Sequence, residues 1–459
     1  MKMSTISLAV FVGLLLPIQA NAEENSQEVE ETLMSPESCE LSNMDFYEAK
    51  SIATKELVVE QGELVASASA VTPCRCDSED SCCGCNNPSG CSCSTSVCDE
   101  DEIGLLQGML DPCSPFVIGG WTTFGYYNKN TRQSFDKGDL LSYNDVPNRL
   151  NIPQSWLYLG KEADGSQGLD FGFRVDAVYG TDAQSLQATG NPGAQIVNSG
   201  TFDASWDHGV YGWAMPQLYG EVAYEDWSVI AGYFLSPIGY ESSRAIDNFF
   251  FSHSLTMFNS EPFTNTGVLA KNTAYEGVTF YAGWTLGWDT AFDQNLGGNS
   301  GIGGFVIEPN DLVTFTYLAS AGDFGFRGDD GYNHSIVLEL LLTDKLEYAL
   351  QSDYVRTNNS FATPGFSVEE FGVVQYVYYQ LNDKWWAGGR AEWWKSNSST
   401  PDQQSYNDIT LGLNYEPRSN IVFRPEIRYD WTPAEDNFAA AVAPNYNQWV
   451  TAIDCVITY

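Results

Sequence analysis

Residues 420–431 read NIVFRPEIRYDW. In a strand, successive side chains point to opposite faces. Ile421, Phe423, Pro425, Ile427, Tyr429 and Trp431 therefore share one apolar, ring-rich face, and Arg424, Glu426, Arg428 and Asp430 share a charged one. The same division runs through LDFGFRVDAVY (169–179), where Leu169, Phe171, Phe173, Val175, Ala177 and Tyr179 oppose Asp170, Arg174 and Asp176. It recurs in KWWAGGRAEWWK (384–395), where Trp385, Ala387, Ala391 and Trp393 oppose Arg390 and Glu392. Taken singly, such strands suit a soluble sandwich with a dry inner face and a wet outer one. Their number and the lengths of their connections discriminate.

The alternating pattern predicts sixteen strands, at 116–128, 152–162, 168–180, 214–224, 227–234, 264–270, 275–288, 300–308, 311–321, 332–342, 345–356, 367–381, 384–395, 406–416, 420–431 and 447–459. The pattern is faintest in 227–234, 264–270 and 300–308. Connections after odd-numbered strands are ten residues or longer, and those after even-numbered strands five or shorter. Long loops on one side and tight turns on the other, with an even strand count, are what a closed antiparallel barrel in a bacterial outer membrane requires, because lipid leaves no open edge satisfied. The fold class expected is thus all-β, a transmembrane barrel. The segment 447–459 adds an apolar face of Ile453, Cys455, Ile457 and Tyr459, ending on a ring suited to a membrane interface.

The 459 residues carry 60 Asp plus Glu against 21 Lys plus Arg, a net charge of −39. That balance repels phosphate backbones and argues against a nucleic-acid partner. Residues 1–22 have the form of a cleaved signal peptide: Lys2, the apolar run SLAVFVGLLL at 7–16, and Ala20-Asn21-Ala22 before Glu23. Residues 23–115 hold 20 acidic and 3 basic residues and ten of the eleven cysteines, so they form a periplasmic extension unlike the rest. Residues 116–459 hold 40 acids against 17 bases, all 13 Trp and the remaining Cys455. Within the extension, Cys74, Cys76, Cys82, Cys83, Cys85, Cys91, Cys93 and Cys98 are spaced as CxC, CCxC and CxC. Thiolates this dense suit a soft metal cluster, an oxidising compartment favours disulfides, and a thiol-rich linker is the third reading. Eight cysteines allow 105 pairings, so the spacing assigns neither connectivity nor metal.

Residues 116–459 resemble the beta-barrel porins of the OmpL-like type, in GFRVDAVYGTDA (172–183), GYFLSPIGYE (232–241), NFFFSHSLTMFNSEPFTNTGVLA (248–270) and TLGLNYEPRSNIVFRPEIRYDW (410–431). The resemblance implies an outer-membrane porin for small polar solutes, without naming one. It implies contact with outer-membrane lipid, recognition by the barrel assembly machinery through the terminal strand and, by analogy to sixteen-stranded porins, a homotrimer. In general porins the third long loop narrows the bore. Here that loop is 235–263, carrying Glu241, Arg244, Asp247 and Glu261, and the alternative is an extracellular cap. Facing it would stand Arg174, Asp176, Arg390, Glu392, Arg424, Glu426, Arg428 and Asp430, which either orient solutes or satisfy one another. The excess of acids predicts a preference for cations. The rival reading is a closed barrel that anchors the acidic, cysteine-rich segment to the envelope.

Catalysis needs a nucleophile, a base and an orienting group. His208, His253 and His334 are the only histidines, and no nucleophile elbow, P-loop or HExxH motif occurs. The sequence predicts neither an enzyme nor a cofactor.

Overall fold

The computed structural model describes residues 105–110, 114–128, 143–188, 203, 206–292, 297–359, 365–397, 404–432 and 447–459. Residues 1–22, expected to be a signal peptide, and the eight clustered cysteines lie outside them.

Sixteen strands close into one antiparallel barrel. In chain order they are β1 (Val117–Tyr127), β2 (Ser155–Lys161), β3 (Asp170–Gly180), β4 (Gly212–Tyr224), β5 (Trp227–Leu235), β6 (Thr264–Tyr275), β7 (Val278–Trp288) and β8 (Asn299–Asn310). There follow β9 (Val313–Asp323), β10 (Asp329–Thr343), β11 (Leu346–Asn358), β12 (Ser367–Asn382), β13 (Trp385–Ser396), β14 (Gln404–Arg418), β15 (Ile421–Trp431) and β16 (Gln448–Thr458). Each strand pairs with its chain neighbours, and β16 returns to β1 with Trp121 opposite Thr458 and Tyr127 opposite Ala452. At that seam Gly120 and Tyr459 exchange both backbone hydrogen bonds at 2.9 Å. Among the described residues no helix is long and apolar enough to cross a membrane.

The period-two pattern decides which face is which. On β15, Ile427 is 44% exposed on the outer face, while Arg424 and Asp430 are 2% exposed on the inner. Outer positions elsewhere are likewise apolar and exposed: Leu157, Phe171, Val268, Trp284, Trp393, Leu411 and Ile453. Rings gather near both ends of this surface. Near the short turns Trp385 stacks on Tyr415 at 4.4 Å, followed by Phe423. Near the long loops Tyr429 packs between Trp431 and Trp449 at 5.6 and 4.6 Å. Two aromatic belts flanking an apolar band match the two interfaces of a bilayer.

The connections correct the strict length rule. Segments 324–328, 359–366 and 397–403 are shorter than ten residues because the flanking strands run further into the loop side than polarity suggests, and 162–169 is longer than five. Likewise β6 continues to Tyr275, moving its turn from 271–274 to 276–277. Lys271 and Asn272 read as turn residues by polarity, yet both sit in the ladder, opposite Ser228 and Trp227 of β5 and Tyr281 and Phe280 of β7.

Candidate functional site: a loop on the inner wall

The connection between β5 and β6, residues 236–263, lies against the inner face of the strands. It carries a 3-10 turn, Ala245–Asp247, and a short α-helix, α1 (Leu255–Ser260), whose N-cap Ser254 accepts a hydrogen bond from the Met257 N–H. A loop placed inside a barrel must satisfy its backbone polar groups there, and the charged side chains of β13 and β15 do so. Glu426 accepts from the N–H groups of Phe251 and Ser252 at 2.9 and 3.2 Å. Glu392 accepts from those of Leu255 and Thr256 at 2.7 and 2.6 Å, and from the Thr256 hydroxyl. Arg424 donates to the carbonyls of Ala245 and Asn248 at 2.6 and 2.7 Å, Arg428 to that of His253 and Arg390 to that of Ser252. Hydrogen bonds with one ionised partner are about twice as strong as neutral ones, so these five wall residues fasten the loop along much of its length.

The same residues pair with acids. Arg390 meets Glu241 of the loop at 2.7 Å and Asp408 of β14 at 3.6 Å. Arg424 meets Asp454 of β16 at 2.5 Å, and Arg428 meets Asp430 at 2.5 Å and Asp408 at 3.4 Å. Asp408 and Asp454, both on inner positions of their strands, are members of the set that the sequence reading passed over. Further round the barrel, Arg174 of β3 pairs with Asp176, stacks 4.1 Å from the Tyr158 ring centroid, and leaves Asp176 to accept from the Trp156 indole at 2.6 Å. Those two lie apart from the loop's charged anchors. Within the loop Arg244 is 3.4 Å from Asp247 and lies over the Trp121 ring.

Further anchors complete the fastening. Gln154, ahead of β2, accepts from Ala245 N–H at 3.0 Å and from the Trp121 indole, while its amide donates to Ser243 O and Asp182. Asp289 accepts from the N–H groups of Phe263 and Thr264. Gln351 of β11 donates to Glu261 at 2.5 Å and to Asp353. Burial, with the neighbouring Asp353 carboxylate second, pushes the Glu261 carboxyl well above the usual carboxylate range. Nothing in local sequence marks Gln154 or Gln351, whose roles depend on pairing across 90 positions.

His253 donates from Nε2 to the Ser242 carbonyl at 3.0 Å, packs on Tyr143, and has no hydrogen-bond partner at Nδ1 among the described residues. Burial holds its pKa down to about 4, against the pull of Glu241. Two wall glycines admit loop rings. A Cβ on Gly388 would stand 2.3 Å from the Phe249 ring, and one on Gly412 3.0 Å from the Phe250 ring.

The inner face is not uniform. On β5 to β9 it presents Ile230, Leu269, Tyr281, Ile302, Val306 and Leu318, which pack with Phe234 and Ile238 at the entrance to the loop. Nearer the short turns, register places Glu221, Glu308, Glu339 and Glu347 inward, with Lys271 among them.

A family model described as "Putative beta-barrel porin-2, OmpL-like" matches residues 115–459. Solved structures similar to the chain include the outer membrane channel DcaP of Acinetobacter baumannii, at 10% identity and TM-score 0.49, covering 75% of this chain and 97% of that one. An anion-selective porin from Comamonas acidovorans matches at 12% identity and TM-score 0.47, covering 75% and 99%. The outer-membrane OmpT of Vibrio cholerae matches at 12% identity and TM-score 0.47, covering 76% and 99%. No curated protein sequence matches.

Proposed function

The chain belongs to this OmpL-like beta-barrel porin family, and from that premise we infer that it is an outer-membrane porin through which small polar solutes and ions diffuse passively, with cations preferred and loop 236–263 as the constriction. The observation that carries the reading is the loop's attachment to the inner wall by Arg390, Glu392, Arg424, Glu426 and Arg428. A segment fastened there occupies cross-section that water and solute would otherwise use. Glu241, Arg244, Asp247 and Glu261 belong to that constriction, and Arg174, Asp176 and Asp430 to the wall around it. The preference for cations rests on the inward acids near the short turns, which outnumber Lys271. A homotrimer and the long-loop side facing outward belong to the same reading.

Planar-bilayer recording of the full chain is the test. Discrete conductance steps, with a reversal potential in a KCl gradient on the potassium side, are expected. A potential on the chloride side overturns the cation preference, and silence overturns the porin. Silence would favour the second reading, a closed barrel anchoring residues 23–115. The observation on its side is the burial of the inner charges, with Arg390 1% exposed and Asp408 fully buried, so that wall charge serves the loop and not open water. A cysteine placed at Asn397 should react with a bulky reagent outside intact cells, and one at Asn382 should not.

A further inference from the structure

Between its two belts of rings the outer wall of the barrel is chiefly apolar, and polar side chains interrupt it. At the seam Thr122, Ser155 and Tyr459 answer one another, with hydroxyl contacts of 3.2 Å. A second interruption does not close on itself. Gln375 of β12 shares its face with Phe371 and Tyr379 and stands midway between them, opposite Leu350 of β11 and Ala391 of β13. Phe371 packs edge-on against Trp393 at 5.6 Å on the side of the long loops, and Tyr379, 45% exposed, lies toward the short turns. The amide therefore faces the middle of the apolar band, where lipid offers no hydrogen-bonding partner. Its Oε1 accepts from the Tyr348 hydroxyl at 3.1 Å. Its Nε2 meets no acceptor among the described residues, nor does the Ser352 hydroxyl, diagonal to it on β11.

The wall beside Gln375 is also low. On β13 the outer positions between Trp385 and Trp393 are Ala387, Gly389 and Ala391, and register sets Gly389 opposite Val377 on one side and Leu411 on the other. A glycine inside a strand weakens it and marks a place where something approaches closely. Gly388 and Gly412 have such a neighbour inside the barrel, in the rings of Phe249 and Phe250. Gly389 has none: a Cβ there would meet only the Leu411 side chain, at an ordinary 3.5 Å, and its backbone is not left-handed. Neither packing nor conformation within the chain calls for glycine at this position, whereas the close approach of a second wall does.

An acyl chain would fill the shallow row but offers the amide no acceptor. A protein wall offers both. An amide is moreover its own complement, with donor and acceptor on one group, so that around a symmetry axis each Gln375 donates to the next. Membrane proteins associate through small residues that let backbones approach and through polar side chains that bond across the contact. We propose that the outer face of β12 and β13 around Gln375 is the surface by which copies of this chain associate, with the Gln375 amides hydrogen-bonded across the symmetry axis and the row Ala387, Gly389 and Ala391 admitting the neighbouring wall. The proposal deepens the homotrimer of the porin reading by naming its contact surface, and it rests on that reading only for the number of copies.

The test is the mass of the full chain in detergent, followed by light scattering across a dilution series, with heat-modifiable mobility in gels showing that each variant is still a barrel. The parent should be a multimer. Gln375→Leu should weaken association roughly tenfold, as expected for a hydrogen bond made in lipid, and Gly389→Leu should abolish it, since the added side chain stands in the contact. Val268→Leu, on the outer face of β6, should change nothing. If no copy docks here, Gln375 is only an amide exposed to lipid, and Gln375→Leu raises the barrel's own unfolding temperature while leaving the mass as it was; that result overturns the surface. Benzoylphenylalanine in place of Val377 should give photoproducts at multiples of the chain mass in cells, and products with lipid alone or with a different protein overturn it as well. A monomeric parent removes surface and homotrimer together, whereas a multimer that survives Gln375→Leu and Gly389→Leu keeps the homotrimer and removes the surface. Bilayer recording of the same preparation separates the channel: association without conductance retains the surface and removes the porin.

Discussion

The inner faces of β13–β15 and of β5–β9 belong to one barrel and follow one alternation, yet they are built from opposite chemistry. The first presents Arg390, Glu392, Asp408, Arg424, Glu426 and Arg428, the second Ile230, Leu269, Tyr281, Ile302, Val306 and Leu318. What each wall meets explains the difference. The charged wall meets loop backbone, whose N–H and C=O groups must be satisfied away from bulk water, and ionised side chains do this more strongly than neutral ones. The apolar wall meets its own side chains, Phe234 at the end of β5 among them, and Ile238 of the loop, where transfer from water is enough. The side of a barrel wall that polarity marks as inner is therefore set by its tenant, and charge inside a barrel is no measure of water inside it.

The sharpest break of this contrast is removal of the tenant. Deleting residues 242–258 should raise single-channel conductance by roughly twofold or more, because current is limited by the narrowest section, while the barrel persists through its strand ladder. Unchanged conductance would place the constriction elsewhere. Next comes Arg424→Ala, which strips Ala245 and Asn248 of their donor and leaves Asp454 buried without its partner. A cost of about 3–5 kcal/mol is expected, seen as faster hydrogen exchange across 245–248 with the strands still protected. On the other wall Ile302→Ala should cost about 2–5 kcal/mol in barrel stability by leaving a cavity, without changing exchange in the loop; loop exchange rising there as well would erase the distinction between the walls.

The contrast also explains what could be read from sequence. β15 was legible because its inner residues are charged and its outer ones apolar. In 227–234, 264–270 and 300–308 both faces are apolar or small, with Ile230 inside and Val229 beside it, so the period of two fades and β6 was cut short at 270. The candidate loop residues were found by position in the chain, and Glu392, Glu426 and the three arginines by phase. Gln154, Gln351, Asp289 and Asp454 were not, since an ordinary amide or carboxylate becomes an anchor only through what register brings to it.

Smaller effects sharpen the charged side. Glu426→Gln should cost about 1–2 kcal/mol, since a neutral amide oxygen accepts from Phe251 and Ser252 less strongly than a carboxylate, measurable as a lower midpoint in urea unfolding from liposomes. The smallest concerns acid. With the pKa of His253 depressed from its ordinary 6.5 to about 4, folding favours the neutral ring. That contribution is complete above pH 6.5 and is lost as pH falls toward 4, where the ring would take up a charge in a buried place. Glu241, Arg390 and Arg424 are the charged groups acting on the ring. Loop exchange should accelerate over that window in the parent and less so in His253→Gln; equal acceleration in both would assign the effect to another group.

The seam between β1 and β16 governs time as well as shape. Every other ladder joins strands that leave the ribosome one after the other, but Trp121 must wait for Thr458, more than 330 positions later. Until then β1 carries an unpaired edge, and contacts so distant in sequence are the slow ones to form. The unfinished sheet is adhesive over that interval, so the cell has to shield the nascent chain from the moment its first strand exists until its last one arrives.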